Sequence, residues 1–375
     1  MLSSDFDIRV YGSTQQLSGD WPDADDRTGS AFFVFQAKSF LKAWEASYGQ
    51  KPGVKLCLTE VRQRDGTPLL FLPLSITRGC GSRMLSFIDD GVSDYNGPIL
   101  FPAAAQLSRD MARRVLELVV AAVPSHDVIA LCKMPKQIEG AANPLWSLTN
   151  LPSEASTHAI SLTRPMEEIE QSLEGIKNIK KRERALQKLD GFRFHVTQTE
   201  AERQSVLQTM LRQKQRRFEE TMVPGFDAHP EKRRFFEEAT ERLARCNALH
   251  FSTLAVGDTT LATMWSLVRN GHYCAMITTF EDGEWSRYSP GKVIILNLLH
   301  ALAADGYRCF DLGYGDEPWK QGLRDRTIPL RDYIVPVTLR GRVSLLFSRS
   351  VERIRATPLY RKLRPLKWQL LRKLR

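Results

Sequence analysis

The chain has 375 residues, of which 42% are hydrophobic and 26% are charged, as in soluble globular proteins long enough for two domains. No stretch approaches roughly 18 uninterrupted apolar residues, so no membrane span is predicted, and the amino terminus shows no secretory signal. The cysteines are scattered without a C-x-x-C pair, which argues against a zinc site or a disulfide framework and favours a reducing cytoplasm.

The positive charge of the chain is concentrated at one end. The formal net charge is +10, and residues 340–375 alone carry twelve Lys and Arg against one acid, Glu352. The remainder is therefore close to neutral, which argues against a nucleic-acid-binding face on the body of the protein. In the last segment, basic residues alternate with Leu and Trp, and Pro358 and Pro365 interrupt it. Such a tail suits the surface of an anionic membrane, or it packs its apolar residues on the body and leaves its charges in water.

The first 155 residues predict a domain of mixed helices and strands. Its helices are indicated by apolar residues at helical spacing, and its strands by β-branched runs between turn residues. Linker-type composition places a domain boundary near residue 155. In chain order, the predicted elements are a helix over 32–49, a hairpin over 54–79 that turns at Asp65-Gly66, a strand from residue 84 into the loop with Asp94 and Tyr95, a helix over 108–123 and a buried strand over 127–134.

The second part repeats this order of elements. An apolar helix between two strands predicts a βαβ unit with a right-handed crossover at its end. In chain order, the predicted elements are a charged helix over 165–191, a strand over 192–198, helices over 199–220 and 229–246, a strand meander over 250–280 with a type I′ turn at Asn270-Gly271, a helix ending at Ala304 and a strand over 307–315.

The sequence YSPGK, from Tyr288 to Lys292, stands directly before the apolar helix. The first turn of a helix has N–H groups without partners and a partial positive charge, so it can bind an anion such as a phosphate. Gly291 would let a ligand approach the backbone closely, and Lys292 adds a cation. A tight turn before a core helix explains the same pattern, so both interpretations stay open.

The segment FDLGYGDEPWK gathers charged residues at the end of the next strand. Asp311 ends that strand, and Asp316, Glu317 and Lys320 follow it in a glycine-containing loop. Neighbouring carboxylates raise the pKa of one of them, which suits a general base. The alternative is a solvated loop with a Lys–acid pair that contributes little.

Two further stretches carry basic residues at helical spacing. In LRQKQRRF, Lys214 and Arg217 stand at i, i+3 with Phe218 adjacent, so one helix face could present two cations. In KNIKKRER, residues 177–184, we favour an exposed face over a phosphate-collecting one. In the first part, Asp94 and Tyr95 stand in a loop after a strand, where binding residues commonly lie.

Several catalytic motifs are absent from the sequence. It contains no G-x-S-x-G, H-E-x-x-H, Walker-type or G-x-G-x-x-G motif. Its seven histidines show no ligand spacing. Serine hydrolases, metalloenzymes and P-loop enzymes are therefore disfavoured, and we expect no metal.

The order and spacing of four stretches resemble the CelD-type acetyltransferases of the GNAT superfamily, which are named for an association with bacterial cellulose and exopolysaccharide genes. The resemblance covers about residues 30–335. It implies an α/β fold with mixed sheets, in two tandem GNAT-like domains that are related to the FemX-type aminoacyl ligases. Together with the composition of the chain, this predicts domains over 1–155 and 156–340 and a basic helical tail over 341–375. The four stretches are FQAKSFLKAWEASYG with LPLSITRGCGSRMLSFIDDGVSDYNGPIL, KNIKKRERALQKL, LRQKQRRF and WSRYSPGKVIILNLLHALAADGYRCFDLGYGDEPWKQGL.

The resemblance also implies a site for an acyl thioester in the second domain. The donor would be acetyl-CoA or another acyl-CoA, with an acyl carrier protein as the alternative. The phosphate loop keeps only one glycine where the superfamily is richer in glycine, and Trp319 lacks the phenol that other members carry at that position. The implied cofactor-binding residues are Arg287, Tyr288, Ser289, Pro290, Gly291 and Lys292. The implied substrate-binding residues are Asp94, Tyr95, Lys214, Arg217, Phe218 and Trp319, and the predicted catalytic residues are Asp316, Lys320 and Asp311.

We expect direct transfer of an acyl group, acetyl first, to an amine or hydroxyl of a small molecule or glycan precursor. Backbone donors would stabilise the oxyanion, Asp316 would accept the proton, and Lys320 or Arg217 would position an anionic group. We expect the protein in the cytoplasm, with its tail on the inner face of the membrane. The alternatives are FemX-like transfer from an aminoacyl-tRNA to a cell-wall precursor, and a binding module without activity.

Overall fold

The structure is a computed structural model that describes residues 5–79 and 81–356, and its strands form two large sheets and one small hairpin. The strands are β1 (Phe6–Tyr11), β2 (Lys55–Gln63), β3 (Pro68–Gly79), β4 (Ser82–Phe87), β5 (Ile99–Leu100), β6 (Val128–Pro135), β7 (Gln137–Ile138), β8 (Ala141–Ala142), β9 (Leu151–Pro152), β10 (Thr157–Ser161), β11 (Arg193–Val196), β12 (Leu249–Val256), β13 (Thr259–Arg269), β14 (His272–Phe280), β15 (Cys309–Tyr314), β16 (Arg326–Ile328) and β17 (Leu330–Pro336). The helices are α1 (Lys38–Ala46), α2 (Arg109–Ala122), α3 (Met166–Ser172), α4 (Ile176–Gln187), α5 (Glu200–Glu220), α6 (Pro230–Arg245), α7 (Pro290–Ala304), α8 (Pro318–Gln321) and α9 (Leu339–Ala356).

The two large sheets follow one plan. The first has the order β1-β2-β3-β4-β6-β17-β9, with β5 on β3, and only its β4–β6 pair is parallel. The second has the order β11-β12-β13-β14-β15-β10-β16, and only its β14–β15 pair is parallel. In each sheet a helix, α2 or α7, links the two parallel strands, because parallel neighbours need a crossover connection. The predicted mixed α/β class with a repeated plan is confirmed.

The last strand of the second part belongs to the first sheet. Strand β17 follows the second sheet in sequence but pairs with β6 and β9 of the first. A strand of the second part thus belongs to the first sheet, and the domain boundaries near residues 155 and 340 stay predictions. Helix α9 holds the start of the predicted tail, and residues 357–375 lie outside the described residues. No helix in the described ranges is both apolar and long enough to cross a membrane.

One hydrophobic core joins the first sheet to the helices of the second part. Phe40 of α1 meets Phe235 of α6 edge-on at a centroid distance of 5.3 Å, and Phe236 meets Trp265 of β13 at 5.2 Å. Each fully buried ring of this kind contributes roughly 1.5–3 kcal/mol of transfer free energy. The two parts are therefore packed together through apolar side chains.

Local sequence signals explain most element boundaries. The turn between β13 and β14 has positive φ at both Asn270 and Gly271, as the type I′ prediction requires. The single helix predicted over 165–191 is wrong, because the chain breaks into α3 and α4 at Gly175, which adopts φ 74°. A glycine in the left-handed region stops one helix and starts another at little steric cost.

Candidate active site

The parallel strands β14 and β15 separate part-way along their length. Their pairing starts at His272 with Cys309 and ends at Cys274 with Asp311, although both strands run further. We call the opening after this last pair the fork. In sheets with parallel strands, ligands bind in the crevice beyond the carboxyl ends of such strands. The fork is therefore the natural place for a substrate.

Asp94 reaches this fork from the first part of the chain. A Cβ atom placed on Gly313 would lie 2.7 Å from Asp94 Oδ2 and 3.3 Å from the carbonyl oxygen of Ala275. Gly313 also has φ +80°, which favours glycine. The carboxylate thus occupies the fork, and it fits there because residue 313 has no side chain.

The surroundings give Asp94 an unusual acidity. Burial, and then repulsion from Asp311, raise the pKa of the Asp94 carboxyl to about 7. A hydrogen bond from the backbone of Tyr314 and the charges of Lys133 and Lys320 act in the opposite direction. A pKa in this range suits a residue that takes up and releases a proton near neutral pH.

Asp311 lies inside β15, and not at the end of the strand as predicted, because β15 continues to Tyr314. It forms a buried hydrogen-bond network below the fork. Its Oδ2 accepts a hydrogen bond from the Tyr95 hydroxyl and lies 3.1 Å from His272 Nε2, and its Oδ1 accepts the Gly313 N–H at 2.8 Å. Tyr95 in turn accepts a hydrogen bond from Thr157 Oγ1 at 2.7 Å. Burial and Asp311 raise the pKa of the Tyr95 phenol well above its usual value, so it stays a donor. Both predicted site residues are thus bonded to protein groups and hold the fork in shape.

The remaining predicted catalytic residues lie just after β15. Asp316 Oδ1 is 2.7 Å from Nε2 of the buried His158, and about half of the Asp316 side chain is exposed. Lys320 is buried, and its Nζ donates to the carbonyl oxygens of Tyr314 at 2.7 Å and Gly313 at 3.3 Å. It also lies 3.0 Å from Glu317 Oε2. The Lys320 ammonium therefore caps the end of β15 next to the fork.

A cavity of about 400 Å³ opens between the end of β14, the start of α7 and Trp319. This volume falls in the range of small-molecule sites. Two of its walls, Phe280 and Trp319, expose 43% and 42% of their surface, which is high for large apolar side chains. The lining residues are Thr278, Phe280, Ser286, Ser289, Pro290, Gly291, Lys292, Ile295 and Trp319.

The start of α7 carries an unpaired donor and nearby cations. Ser289 adopts φ 48°, and its carbonyl accepts the N–H groups of Lys292 at 2.9 Å and Val293 at 3.2 Å. Within the described ranges no protein acceptor meets the Gly291 N–H. Arg182 of α4 donates to Ser289 Oγ, so part of the basic KNIKKRER face turns toward this loop, contrary to the exposure that we favoured. One backbone donor and two cations, Arg182 and Lys292, are thus available to an anion.

Two residues of the predicted phosphate loop do not line the cavity. Arg287 is exposed, lies over the Tyr288 ring at 4.8 Å and donates to its hydroxyl at 3.0 Å. Tyr288 packs beside Trp285. The other four predicted loop residues, Ser289 to Lys292, do line it.

Helix α5 presents a different face from the predicted one. Lys214 lies over the Phe218 ring at 5.3 Å, where burial, Lys232 and Arg217 lower the pKa of its ammonium, and Arg217 is exposed beside Glu220. Neither cation lines the cavity.

Residues one position earlier on α5 contact β14 instead. Arg216 donates to the carbonyl oxygen of Phe280 at 2.9 Å and pairs with Glu281, while Gln213 accepts from Thr279 Oγ1 at 2.5 Å. They position the strand end that lines the cavity. The motif LRQKQRRF indicated a functional helix face, but the charges alone do not show which of its residues face β14.

Comparisons with known proteins concern the fold of the chain. Residues 175–321 match the family model described as acetyltransferase (GNAT) domain, and no curated protein matches the chain significantly. The crystal structure of FemX superposes with a TM-score of 0.56 at 10% identity and covers 81% of this chain and 92% of that chain. A conserved protein of unknown function from Bacteroides thetaiotaomicron gives a TM-score of 0.50 at 8% identity, over 80% of this chain and 90% of that chain. At these identities the likeness concerns the fold.

The matched segment contains the parts that build the cavity. It runs from the start of α4 to the end of α8 and so includes Arg182, β14, the start of α7 and Trp319. In the described ranges no cluster of His, Cys, Asp and Glu could hold a metal ion. From the family match and the superposition, the chain has a GNAT-type acyltransferase fold that is similar to the fold of FemX.

Proposed function

We propose that the protein transfers an acyl group from an acyl-CoA to an amine or hydroxyl acceptor. The observation that carries this proposal is the cavity at the start of α7, which is lined by Gly291, whose N–H meets no acceptor among the described residues. Strand β14 joins this cavity to the fork that holds the ionisable carboxylate of Asp94, because Ala275 borders the fork and Thr278 and Phe280 line the cavity. A thioester donor needs a diphosphate site, an apolar channel and a proton acceptor nearby. The residues present fit all three needs.

The groups around the cavity suit the parts of coenzyme A. The Gly291 N–H, Lys292 and Arg182 would hold its diphosphate, since backbone donors at a helix start and cations bind phosphate together. Phe280 and Trp319 would cover the pantetheine arm with apolar surface. The bound thioester supplies the acyl group. The chain's own residues would position the two substrates and accept the proton.

Asp94 is the proton acceptor that the geometry favours. It lies in the fork, and its pKa is raised to about 7. Asp316, the first choice from the sequence, is engaged by His158 and stays the second candidate. Lys320, held beside the fork, would stabilise the ionised form of Asp94. General base catalysis of this kind contributes about 10²–10⁴ in rate.

The acceptor is proposed from the CelD resemblance. It would be a small molecule or glycan precursor of polysaccharide or cell-envelope biosynthesis, modified on nitrogen or oxygen. The acyl group would be acetyl, from acetyl-CoA, or a longer chain, and an acyl carrier protein is the alternative donor. The protein would act in the cytoplasm, with residues 341–375 at the inner face of the membrane.

Calorimetric titration with acetyl-CoA, longer acyl-CoAs and tRNA separates the candidate functions. Acyl-CoA binding supports acyl transfer. Binding of tRNA in its place would assign the chain to aminoacyl-tRNA-dependent transfer. Binding of neither would indicate a module without this activity.

Replacing Gly291 by Leu should weaken acyl-CoA binding by at least about tenfold, or 1.4 kcal/mol. A Cβ added at Gly291 would lie 3.0 Å from the Phe280 ring, so the rest of a leucine side chain would project into the cavity. Gly19→Leu is the matched control, because nothing lies within 4 Å of its Cβ. Equal dissociation constants for acyl-CoA in both variants would show that CoA does not bind in this cavity.

A further inference from the structure

Exposed apolar side chains concentrate at two places in the described part of the chain. Two of them, Phe280 and Trp319, line the acyl-CoA cavity, and Met84 and Met111 stand elsewhere. The others lie in one run that starts after β17 and continues into α9. A contiguous exposed patch of this kind marks an interaction surface. The run comprises Val337, Leu339, Val343, Leu346 and Phe347, with exposures of 49%, 77%, 68%, 64% and 59%.

Helix α9 fixes the direction of this patch. Leu339, Val343, Leu346 and Phe347 stand at i, i+4, i+7 and i+8, so they form one stripe along the helix, the α9 stripe. The opposite face is buried on the first sheet, where Ser344 Oγ lies 2.8 Å from Ser82 Oγ. The sheet therefore holds the helix in place and directs the α9 stripe to solvent.

An arginine-lined cavity lies beside the stripe. Its volume is about 360 Å³, and Arg78, Arg83 and Arg340 line it together with Ser82 and no acidic residue. Arg83 donates to Asp127 Oδ2 at 3.3 Å and to Ser125 Oγ at 2.8 Å, and Arg340 donates to the carbonyl oxygen of Gly81. Arg78 has no acidic partner within the described ranges. We call this group the arginine pocket.

We propose that the arginine pocket binds the phosphate of an anionic phospholipid while the α9 stripe enters the membrane interface. Three guanidinium groups around one concavity suit a phosphate, which they can bind with paired hydrogen bonds. Arg340 follows Leu339 directly, so headgroup and acyl-chain contacts would be made side by side.

The positive charge of this region favours an anionic membrane over a second copy of the chain as the occupant of this surface. Residues 340–375 have a net charge of +11, and each basic residue near an anionic membrane contributes roughly 1 kcal/mol. A second copy of the chain would bring the same positive charge to the contact and be repelled. A free phosphate would leave the α9 stripe in water. This inference rests on the membrane contact proposed above for residues 341–375 and adds a defined headgroup site to it, and it is independent of acyl transfer.

Vesicle co-sedimentation tests the proposal on the full-length chain. We expect binding to phosphatidylcholine vesicles that contain phosphatidylglycerol, a loss of binding at high salt, and none to phosphatidylcholine alone. Val343→Asp with Phe347→Asp should reduce the bound fraction at least about tenfold, and so should Arg78→Gln with Arg340→Gln. Met111→Asp is the matched control, since Met111 is 42% exposed on α2, and it should bind like the wild type.

Three results would overturn the proposal. The first is a wild-type protein that does not bind vesicles containing phosphatidylglycerol but binds inorganic phosphate at the arginine pocket in a titration. This result would indicate a site for a free anion. The second is full binding by the Val343/Phe347 variant, which assigns the membrane contact to residues 357–375. The third is a dimer by light scattering that the same variant dissociates, with no vesicle binding. All variants change exposed side chains, so unchanged thermal unfolding confirms that each is folded.

Discussion

Replacing Asp94 by Asn is expected to lower kcat/KM for acyl transfer by about 10²–10⁴-fold. The amide keeps the size of the side chain in the fork but accepts no proton from the acceptor. Because Asp94 lies against Gly313 and Ala275, the isosteric change should leave the packing there intact. Steady-state rates with acetyl-CoA and a range of amine and hydroxyl acceptors measure the effect.

The pH profile should identify the same group. A base must be ionised to act, so wild-type kcat/KM should rise with pH and level off above a pKa of about 7. The Asn variant should retain a low rate without this step. A wild-type profile without a transition near pH 7 would contradict the assignment.

Stability should change with pH in the opposite direction. The pKa of Asp94 is raised on folding, so the folded protein holds a proton that the unfolded chain has released between about pH 4 and pH 7. The contribution is fully present below pH 4 and is lost as pH rises through 7. Relative to wild type, the Asn variant should therefore become more stable across this window, by at most about 4 kcal/mol. Thermal unfolding of both proteins from pH 4 to pH 8 measures the difference.

Asp316→Asn separates the two candidate bases. Its partner His158 is buried, so the change should alter local hydrogen bonding but leave the transition near pH 7 in place. If Asp316→Asn removes that transition and Asp94→Asn keeps it, Asp316 is the proton acceptor.

Local features of the fold were predictable because neighbouring residues determine them. The Asn270-Gly271 turn requires two left-handed residues in a row, and the sequence supplies a pair that adopts them. The helix after Pro290 follows from a long apolar run with a starting proline. The break at Gly175 was missed because the charged pattern continues across it.

The candidate site was only partly predictable because it is assembled from distant segments. Asp94 and Gly313 were both visible in glycine-containing segments, but nothing in either segment indicates that they meet. The roles of Asp311 and Tyr95 depend on the same contact, since the hydrogen bond between them joins the two parts of the chain. On α5, a shift of one residue separates the predicted cation Arg217 from Arg216, which contacts β14.

Replacing Gly313 by Ala is expected to lower both stability and activity. Residue 313 adopts φ +80°, which costs a side-chain-bearing residue about 1–3 kcal/mol, and its Cβ would lie 2.7 Å from Asp94 Oδ2. Overpacking of this kind adds about 1–3 kcal/mol. Because the carboxylate must move out of the fork, kcat/KM should fall together with the unfolding temperature.

Gly306→Ala controls for the backbone strain alone. Gly306 has φ +77°, and nothing lies within 4 Å of its Cβ, so this variant should lose stability but keep its activity. The clash with Asp94 should also appear as a coupling in a double-mutant cycle. In an Asp94→Ala background, Gly313→Ala should cost less stability than in the wild type, because the carboxylate oxygen is gone. Additive losses in the cycle would mean that Asp94 does not occupy the fork in solution.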